Sequence, residues 1–175
     1  ADFKNQLAAL DLERFHAIAL SAYVWNEYLI NPFITLLRRM GFRGRIVLGG
    51  YQNTFGREAE LLQRYPDCQV FIAGQAEQAF AELPDHLDAT SPVFLNIPVN
   101  FEQLASPYLS GELPVPLGAS MVRLETKRGC PYRCSFCAHR DLITREVHRH
   151  PLNKVVQELA FLADRRVQRV NVLDP

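Results

Sequence analysis

Arg45-Ile46-Val47-Leu48-Gly49-Gly50 is the stretch from which the fold of this 175-residue chain is best predicted. A short apolar run ends there in two glycines, and a similar pattern returns at Val70-Phe71-Ile72-Ala73-Gly74. A third apolar run covers residues 16–20 and ends before Ser21. Apolar runs of this length, bounded by glycine or a polar residue, are typical of buried parallel strands.

Helical segments separate these three strands. One helix is predicted to end at Met40, before Gly41, and two more are predicted over 56–65 and 76–83. Repeated strand–helix order predicts an α/β fold with a doubly wound, flavodoxin- or Rossmann-like parallel sheet, whose ligands bind outside the carboxyl ends of the strands. The residues at those ends are Ser21, Gly49, Gly50 and Gly74. We expect them to border one crevice, although the two adjacent glycines could instead serve only a tight turn.

The composition excludes some classes of partner. The chain is 48% hydrophobic and carries a formal net charge of zero, which suits a globular core and gives no electrostatic reason to expect nucleic acid or a membrane surface. Its cysteines are clustered rather than spread as a disulfide framework, which is typical of a reducing compartment. We therefore expect a cytoplasmic protein that binds neither nucleic acid nor membrane.

The chemistry of the chain is concentrated in Cys130-Pro131-Tyr132-Arg133-Cys134-Ser135-Phe136-Cys137, where three cysteines fall within eight residues. This spacing predicts one loop on which three thiolates converge, and soft thiolate ligands favour an iron–sulfur cluster or zinc. A cubane cluster usually has four cysteines, but Cys68 is far upstream. One iron of a 4Fe–4S cluster would then lack a protein ligand. The alternative is a zinc site of the Cys3His type, completed by His139.

With an aromatic residue before its last cysteine, this motif resembles that of the radical S-adenosylmethionine (SAM) superfamily. The wider stretch 124–137 is similar to the branch that carries an N-terminal cobalamin-binding domain. In that superfamily the amino and carboxylate groups of SAM chelate the open iron, and one-electron reduction cleaves SAM to a 5′-deoxyadenosyl radical. The resemblance implies a 4Fe–4S cluster on Cys130, Cys134 and Cys137.

The same resemblance implies a SAM contact for two further residues. Phe136 would lie beside the adenine of SAM, and Asp174, at the end of a strand, would contact its amino end. Packing of the loop is the alternative role of Phe136. Asp174 could instead form a turn before Pro175.

Three stretches are similar to landmarks of the cobalamin-binding half of such enzymes: 21–26, 46–50 and 74–77. The resemblance implies that Ser21, Gly49 and Gly50 line the pocket for the lower face and nucleotide tail of cobalamin, with Gly74 in the turn after the next strand. The Asp-x-His-x-x-Gly motif that supplies an axial histidine in many cobalamin proteins is absent. Cobalamin is thus an expected cofactor whose axial ligand the sequence does not identify.

The expected organisation has three parts. Residues 1–90 form a partial cobalamin-binding-like α/β domain, and 91–118, with its many prolines, forms an interdomain linker. Residues 119–175 begin a radical SAM partial (β/α) barrel, with strands over 120–126 and 167–173 and an amphipathic helix starting at Leu152. The chain resembles a fragment of a longer enzyme, and alone it is expected to be inactive.

The function implied by the resemblance is that of a cobalamin-dependent radical SAM enzyme. It would C-methylate or otherwise modify an unactivated carbon of a small-molecule or peptide substrate, with a reductant such as flavodoxin or ferredoxin. The alternative is a degenerate corrinoid-binding or regulatory module with a structural zinc. No catalytic residue can be named from the sequence.

Other polar and sulfur residues have ordinary structural explanations. Arg128 and Arg133 could tune the charge of a cluster but are expected to be solvated, and the same is expected of His139, His148 and His150. Cys68 enters a strand and is expected to be a small core residue.

Overall fold

A computed structural model describes residues 10–54, 56–132, 134–137 and 146–174 of the chain. The chain divides into two compact units, one up to Val99 and one from Asn100 onwards. No helix within the described residues is both long and apolar enough to cross a membrane.

The first unit is built around a parallel sheet of four strands in the order β1-β2-β3-β4. The strands are β1 (Ala17–Ser21), β2 (Arg45–Gly49), β3 (Val70–Ile72) and β4 (Val93–Leu95). The helices are α1 (Glu27–Arg39), α2 (Tyr51–Thr54), α3 (Glu58–Arg64) and α4 (Glu77–Glu82). Short 3-10 turns cover Leu12–Arg14 and Leu83–His86. The first three strands lie where the apolar runs predict them.

Helices cover both faces of this sheet. Ile46 and Leu48 of β2 share one core cluster with Ile34 of α1, whereas Val47, between them, belongs to a second cluster with Ala79 of α4. Neighbouring residues of a strand point to opposite faces, so the two clusters lie on opposite sides. The α/β class with a parallel sheet is confirmed. The order of the described strands contains no reversal, so the crevice of a topological switch point is not found among them.

Helix α1 contains a proline within its length. Pro32 lies inside the helix, not at its first turn, and the side-chain hydroxyl of Thr35 donates to the carbonyl of Asn31 at 3.0 Å. Ile30, Ile34 and Leu37 are buried, and burial of this face outweighs the cost of a proline within the helix.

The described residues of the second unit form two small sheets. Strands β5 (Val122–Leu124) and β8 (Val170–Val172) pair in parallel, and helix α5 (Leu152–Asp164) connects them in sequence. Strands β6 (Lys127–Arg128) and β7 (His148–Arg149) pair antiparallel. One strand–helix–strand unit agrees with the predicted elements but does not make a barrel. The helix is also less buried than its pattern suggests, since Leu152 is 77% exposed and Val156 is 55% exposed.

The segment predicted as a linker, 91–118, is divided between the two units. Its first part supplies β4, the edge strand of the four-stranded sheet. Its later part packs within the second unit, where the hydroxyl of Tyr108 donates to the carbonyl of Arg123. Prolines interrupt regular structure but do not prevent a segment from packing, so composition alone does not fix the boundary.

Candidate functional site

The carboxyl ends of β1 and β2 bring three of the predicted residues together. Ser21 and Gly49 are register partners, and the amide of Ala22 donates to the carbonyl of Gly49 at 2.8 Å. Gly50 has a φ of +96°, and a Cβ at this position would lie 2.6 Å from the carbonyl oxygen of Ala22. The backbone after β1 therefore approaches Gly50 so closely that no side chain fits there.

Gly74 is linked to Gly50 at the same edge by the side-chain hydroxyl of Thr54. Its amide donates to Oγ1 of Thr54 at 3.2 Å, and that hydroxyl donates to the carbonyl of Gly50 at 3.3 Å. Gly74 and Ser21 are exposed. The structure thus brings Ser21, Gly49, Gly50 and Gly74 to one edge of the sheet, and their role in binding cobalamin remains a prediction.

Asn53, which was not predicted from the sequence, holds this edge from within. Its side-chain amide is buried and donates from Nδ2 to the carbonyl oxygens of Leu48 at 3.0 Å and Ile72 at 2.7 Å. It therefore ties the ends of β2 and β3. Its Oδ1 has no hydrogen-bond partner among the described residues. In the sequence, the signal for this role is a polar residue three positions after Gly50.

The turn after β1 is also held by an asparagine. Asn26 donates from Nδ2 to the carbonyl of Ser21 at 2.8 Å and accepts at Oδ1 from the amide of Tyr23 at 2.7 Å. Within this turn the rings of Tyr23 and Trp25 stack with centroids 4.7 Å apart, and Trp25 is 68% exposed. A flat aromatic surface is therefore presented beside Ser21.

In the second unit, the loop that carries the three cysteines is closed at its base. It leaves β6 and returns in β7, and these strands pair Arg128 with His148. Gly129, the first loop residue, has a φ of +90°, and a Cβ there would lie 2.0 Å from the carbonyl oxygen of Glu146. The two ends of the loop touch at this point, and only glycine permits the contact.

The loop presents a donor set that suits an iron–sulfur cluster. Cys130, Cys134 and Cys137 are free thiols, Cys134 is exposed, and the amide of Cys137 donates to the carbonyl of Cys134 at 3.0 Å. Free thiolates on one loop are the ligands such clusters take. Within the described parts of the chain, however, no three His, Cys, Asp or Glu side chains are grouped closely enough to hold a metal ion. Cluster binding by these cysteines therefore remains a prediction.

The other cysteine behaves as a core residue, as predicted. Cys68 is 2% exposed, and burial, aided by the nearby Asp67, raises the pKa of its thiol to about 12. A thiol that stays protonated is a poor metal ligand. His139, the fourth ligand in the zinc hypothesis, lies outside the described residues.

The two predicted SAM contacts have different surroundings. The ring of Phe136 is 92% exposed, so it does not pack the loop and is available to a ligand. The carboxylate of Asp174 instead accepts from the amides of Thr126 at 2.8 Å and Lys127 at 3.1 Å and from the hydroxyl of Thr126. Desolvation acts to raise the pKa of Asp174, but these hydrogen bonds outweigh it and lower the pKa. Asp174 ties the end of β8 to the strand that leads into the loop.

Residues expected to be solvated form a network under the loop instead. Nε of Arg128 donates to both carboxylate oxygens of Glu125 at 2.8 Å. The side chain of His150 is 5% exposed and its Nε2 lies 3.5 Å from Oε2 of Glu125. The prediction that His150 is solvated is wrong, because Phe101 and Glu125 pack against it. Arg128 also contacts Phe101 but keeps a quarter of its side chain exposed.

Comparison with characterised proteins finds two similar methyltransferases. The chain is 26% identical, over 90% of its length, to 2-(S-pantetheinyl)-carbapenam-3-carboxylate methyltransferase of Streptantibioticus cattleyicolor. It is 25% identical, over the same share, to the cobalamin-dependent radical SAM methyltransferase TokK of Streptomyces tokunonensis. The chain is a homologue of the cobalamin-dependent radical SAM methyltransferases. It spans 27% of the length of each of these two relatives.

The fold of this radical SAM homologue is also seen in a solved structure. The chain matches TsrM of Kitasatospora setae, a radical S-adenosylmethionine methyltransferase, with a TM-score of 0.63 and 16% identity. The match covers 99% of this chain and 40% of TsrM. At this identity the likeness supports the arrangement of elements only. No family model matches the chain.

Proposed function

We propose that this chain is part of a cobalamin-dependent radical SAM enzyme that methylates an unactivated carbon, with a 4Fe–4S cluster on Cys130, Cys134 and Cys137. The observation that carries the proposal is a loop of three free thiols whose two ends are held together, in a homologue of such methyltransferases. A cluster bound there with one open iron would supply the electron for reductive cleavage of SAM.

The residues around the loop have distinct parts in this proposal. Gly129 lets the two ends of the loop meet, and the three thiolates hold the metal. Phe136 offers an exposed apolar ring to the adenine of SAM. The carboxylate of Asp174 accepts from three donors of Thr126 and Lys127, so its main role is to fix the start of the loop. In this position Asp174 would also contact the amino end of SAM.

The sheet edge is the proposed cobalamin site. Gly50 lets the turn after β2 pack against the backbone of Ala22, and Ser21, Gly49 and Gly74 lie beside it without bulky side chains. A corrin tail could therefore lie against the backbone at the carboxyl ends of the strands. The same proposal includes a small-molecule or peptide substrate, a flavodoxin or ferredoxin as reductant, and a cytoplasmic location. Because the chain spans 27% of its relatives' length, we propose that it is inactive by itself.

The test is anaerobic reconstitution of the full-length protein with iron and sulfide, followed by assay for 5′-deoxyadenosine after addition of SAM and reductant. We expect iron and sulfide in cubane proportion and formation of 5′-deoxyadenosine. Cys134→Ala should lose both, whereas Cys68→Ala, which removes a buried cysteine of the other unit, should keep both. One tightly held zinc with no iron would instead indicate a corrinoid-binding or regulatory module with a structural metal.

A further inference from the structure

Phe101 packs beneath the base of the cysteine loop and touches both strands that form it. Its ring is 7% exposed and stacks on the imidazole of His148 in β7, with centroids 4.9 Å apart and planes 3° from parallel. The guanidinium carbon of Arg128 in β6 lies 5.4 Å from the centre of the same ring. The ring of His150, just after β7, meets it at 5.4 Å. One aromatic ring thus contacts residues from both ends of the loop.

These contacts are supported by a polar network that also joins the two ends. The amide of His150 donates to the carbonyl of Thr126 at 2.9 Å. Nδ1 of His150 lies 3.4 Å from Nζ of Lys154, and its Nε2 lies 3.5 Å from Oε2 of Glu125. Hydrogen bonds in a polar network are stronger where water is excluded, and the ring of Phe101 covers part of this network.

The same unit contains a comparable contact away from the loop. Arg165 lies over the ring of Phe161 at 5.4 Å, the same kind of pair with nearly the same distance, but both residues belong to α5 and its end. Phe161→Ala is therefore a control, because it removes an arginine–phenylalanine contact without changing the base of the loop.

We propose that Phe101 is a positioning residue for the metal-binding loop, because its ring holds the β6–β7 base closed and so keeps the three cysteines in the form that retains a cluster. The part of this inference that concerns the cluster rests on the proposed function. The part that concerns the closed β6–β7 base is independent of the proposed function, because it can be measured in the metal-free protein. In this proposal Phe101 acts through Arg128 and His148 and does not itself contact the cluster.

The first experiment is hydrogen exchange of the metal-free, full-length protein. The amide of His150 reports opening of the base, and that of Val122, which donates to the carbonyl of Arg169 at 2.9 Å, reports the parallel sheet of the same unit. A stacked ring and an arginine–ring contact together are worth about 10- to 100-fold in the opening equilibrium. Phe101→Ala should therefore speed exchange of His150 by about that factor and leave Val122 unchanged.

The second experiment measures how fast a chelator removes iron from the reconstituted protein. Phe101→Ala should lose iron about 10-fold faster or more, by the same contact energies. Phe101→Tyr should restore the unmodified rate, because it keeps the ring, and Phe101→Leu should fall between. Phe161→Ala should behave as the unmodified protein in both experiments.

The outcomes separate the two proposals. Unchanged exchange of His150 in Phe101→Ala would refute the closing of the base, and faster exchange with unchanged iron loss would refute its role for the cluster. Equal acceleration of Val122 would also overturn the inference, since the effect would then be general destabilisation. Failure of the unmodified protein to take up iron would refute the proposed function and the cluster role with it, while the exchange data still decide whether the base is closed by Phe101.

Discussion

Gly129→Ala is the substitution for which the structure gives the sharpest expectation. The new Cβ would lie 2.0 Å from the carbonyl oxygen of Glu146, and 3.0 Å is the shortest approach that real Cβ atoms show, so the backbone of one loop end must move by about 1 Å. The residue must also keep a φ of +90°, which costs a residue with a side chain about 1–2 kcal/mol. Strain of about 1–3 kcal/mol corresponds to a shift of about 5- to 150-fold towards the open base.

The assay is titration of the full-length protein with iron and sulfide under anaerobic conditions. The apparent affinity for the cluster should fall in Gly129→Ala by about the same 5- to 150-fold, because the cluster selects the closed base. Gly118→Ala is the matched control in the same unit, with a φ of +74° but no atom within 4 Å of its Cβ. Normal cluster uptake by Gly129→Ala, or an equal loss in Gly118→Ala, would refute the view that close contact of the loop ends prepares the metal site.

Three further predictions concern the sheet edge and the entry to the loop. Gly50→Ala should weaken cobalamin binding, measured by its visible absorption, whereas Gly41→Ala, with the same φ of +96° but open space around its Cβ, should leave binding unchanged; equal binding by both variants would contradict the proposed site. Asn53→Leu should lower the free energy of unfolding by about 1–3 kcal/mol in denaturant titration, because two carbonyls lose their buried donor; an unchanged midpoint would show that the two strand ends do not need the link. Asp174→Asn should destabilise the protein most at neutral pH. The lowered pKa of Asp174 stabilises the fold above the ordinary carboxyl range, and this contribution is lost as the pH falls through the folded-state pKa. A stability difference that grows towards acid pH would contradict the assignment.

The parts of the fold predicted from the sequence are those that depend on local pattern. Strands β1, β2 and β3 coincide with apolar runs that are followed by glycine or serine. These runs predict strands because a parallel strand that is buried on both faces needs consecutive apolar side chains. Strand β4 lies at a short apolar run inside the proline-rich segment that was predicted as a linker. This run is a strand because it pairs with β3 in the folded protein.

The site was predicted less completely, since packing between distant segments decides its details. His150 lies in a polar stretch, and nothing in its neighbourhood indicates burial, but Phe101 and Glu125 enclose it. The carboxylate of Asp174 reaches back to Thr126, which is remote in sequence. In contrast, three closely spaced cysteines need no distant residue to indicate a metal-binding loop.

The most direct test for an open iron in this protein is electron paramagnetic resonance of the reduced, reconstituted full-length protein with and without SAM. We expect a 4Fe–4S signal that changes when SAM is added, because an iron without a protein ligand binds SAM directly. We also expect that the signal is lost in Cys134→Ala and kept in Cys68→Ala. A protein that is silent in this measurement and holds one zinc would contradict an iron–sulfur cluster on Cys130, Cys134 and Cys137.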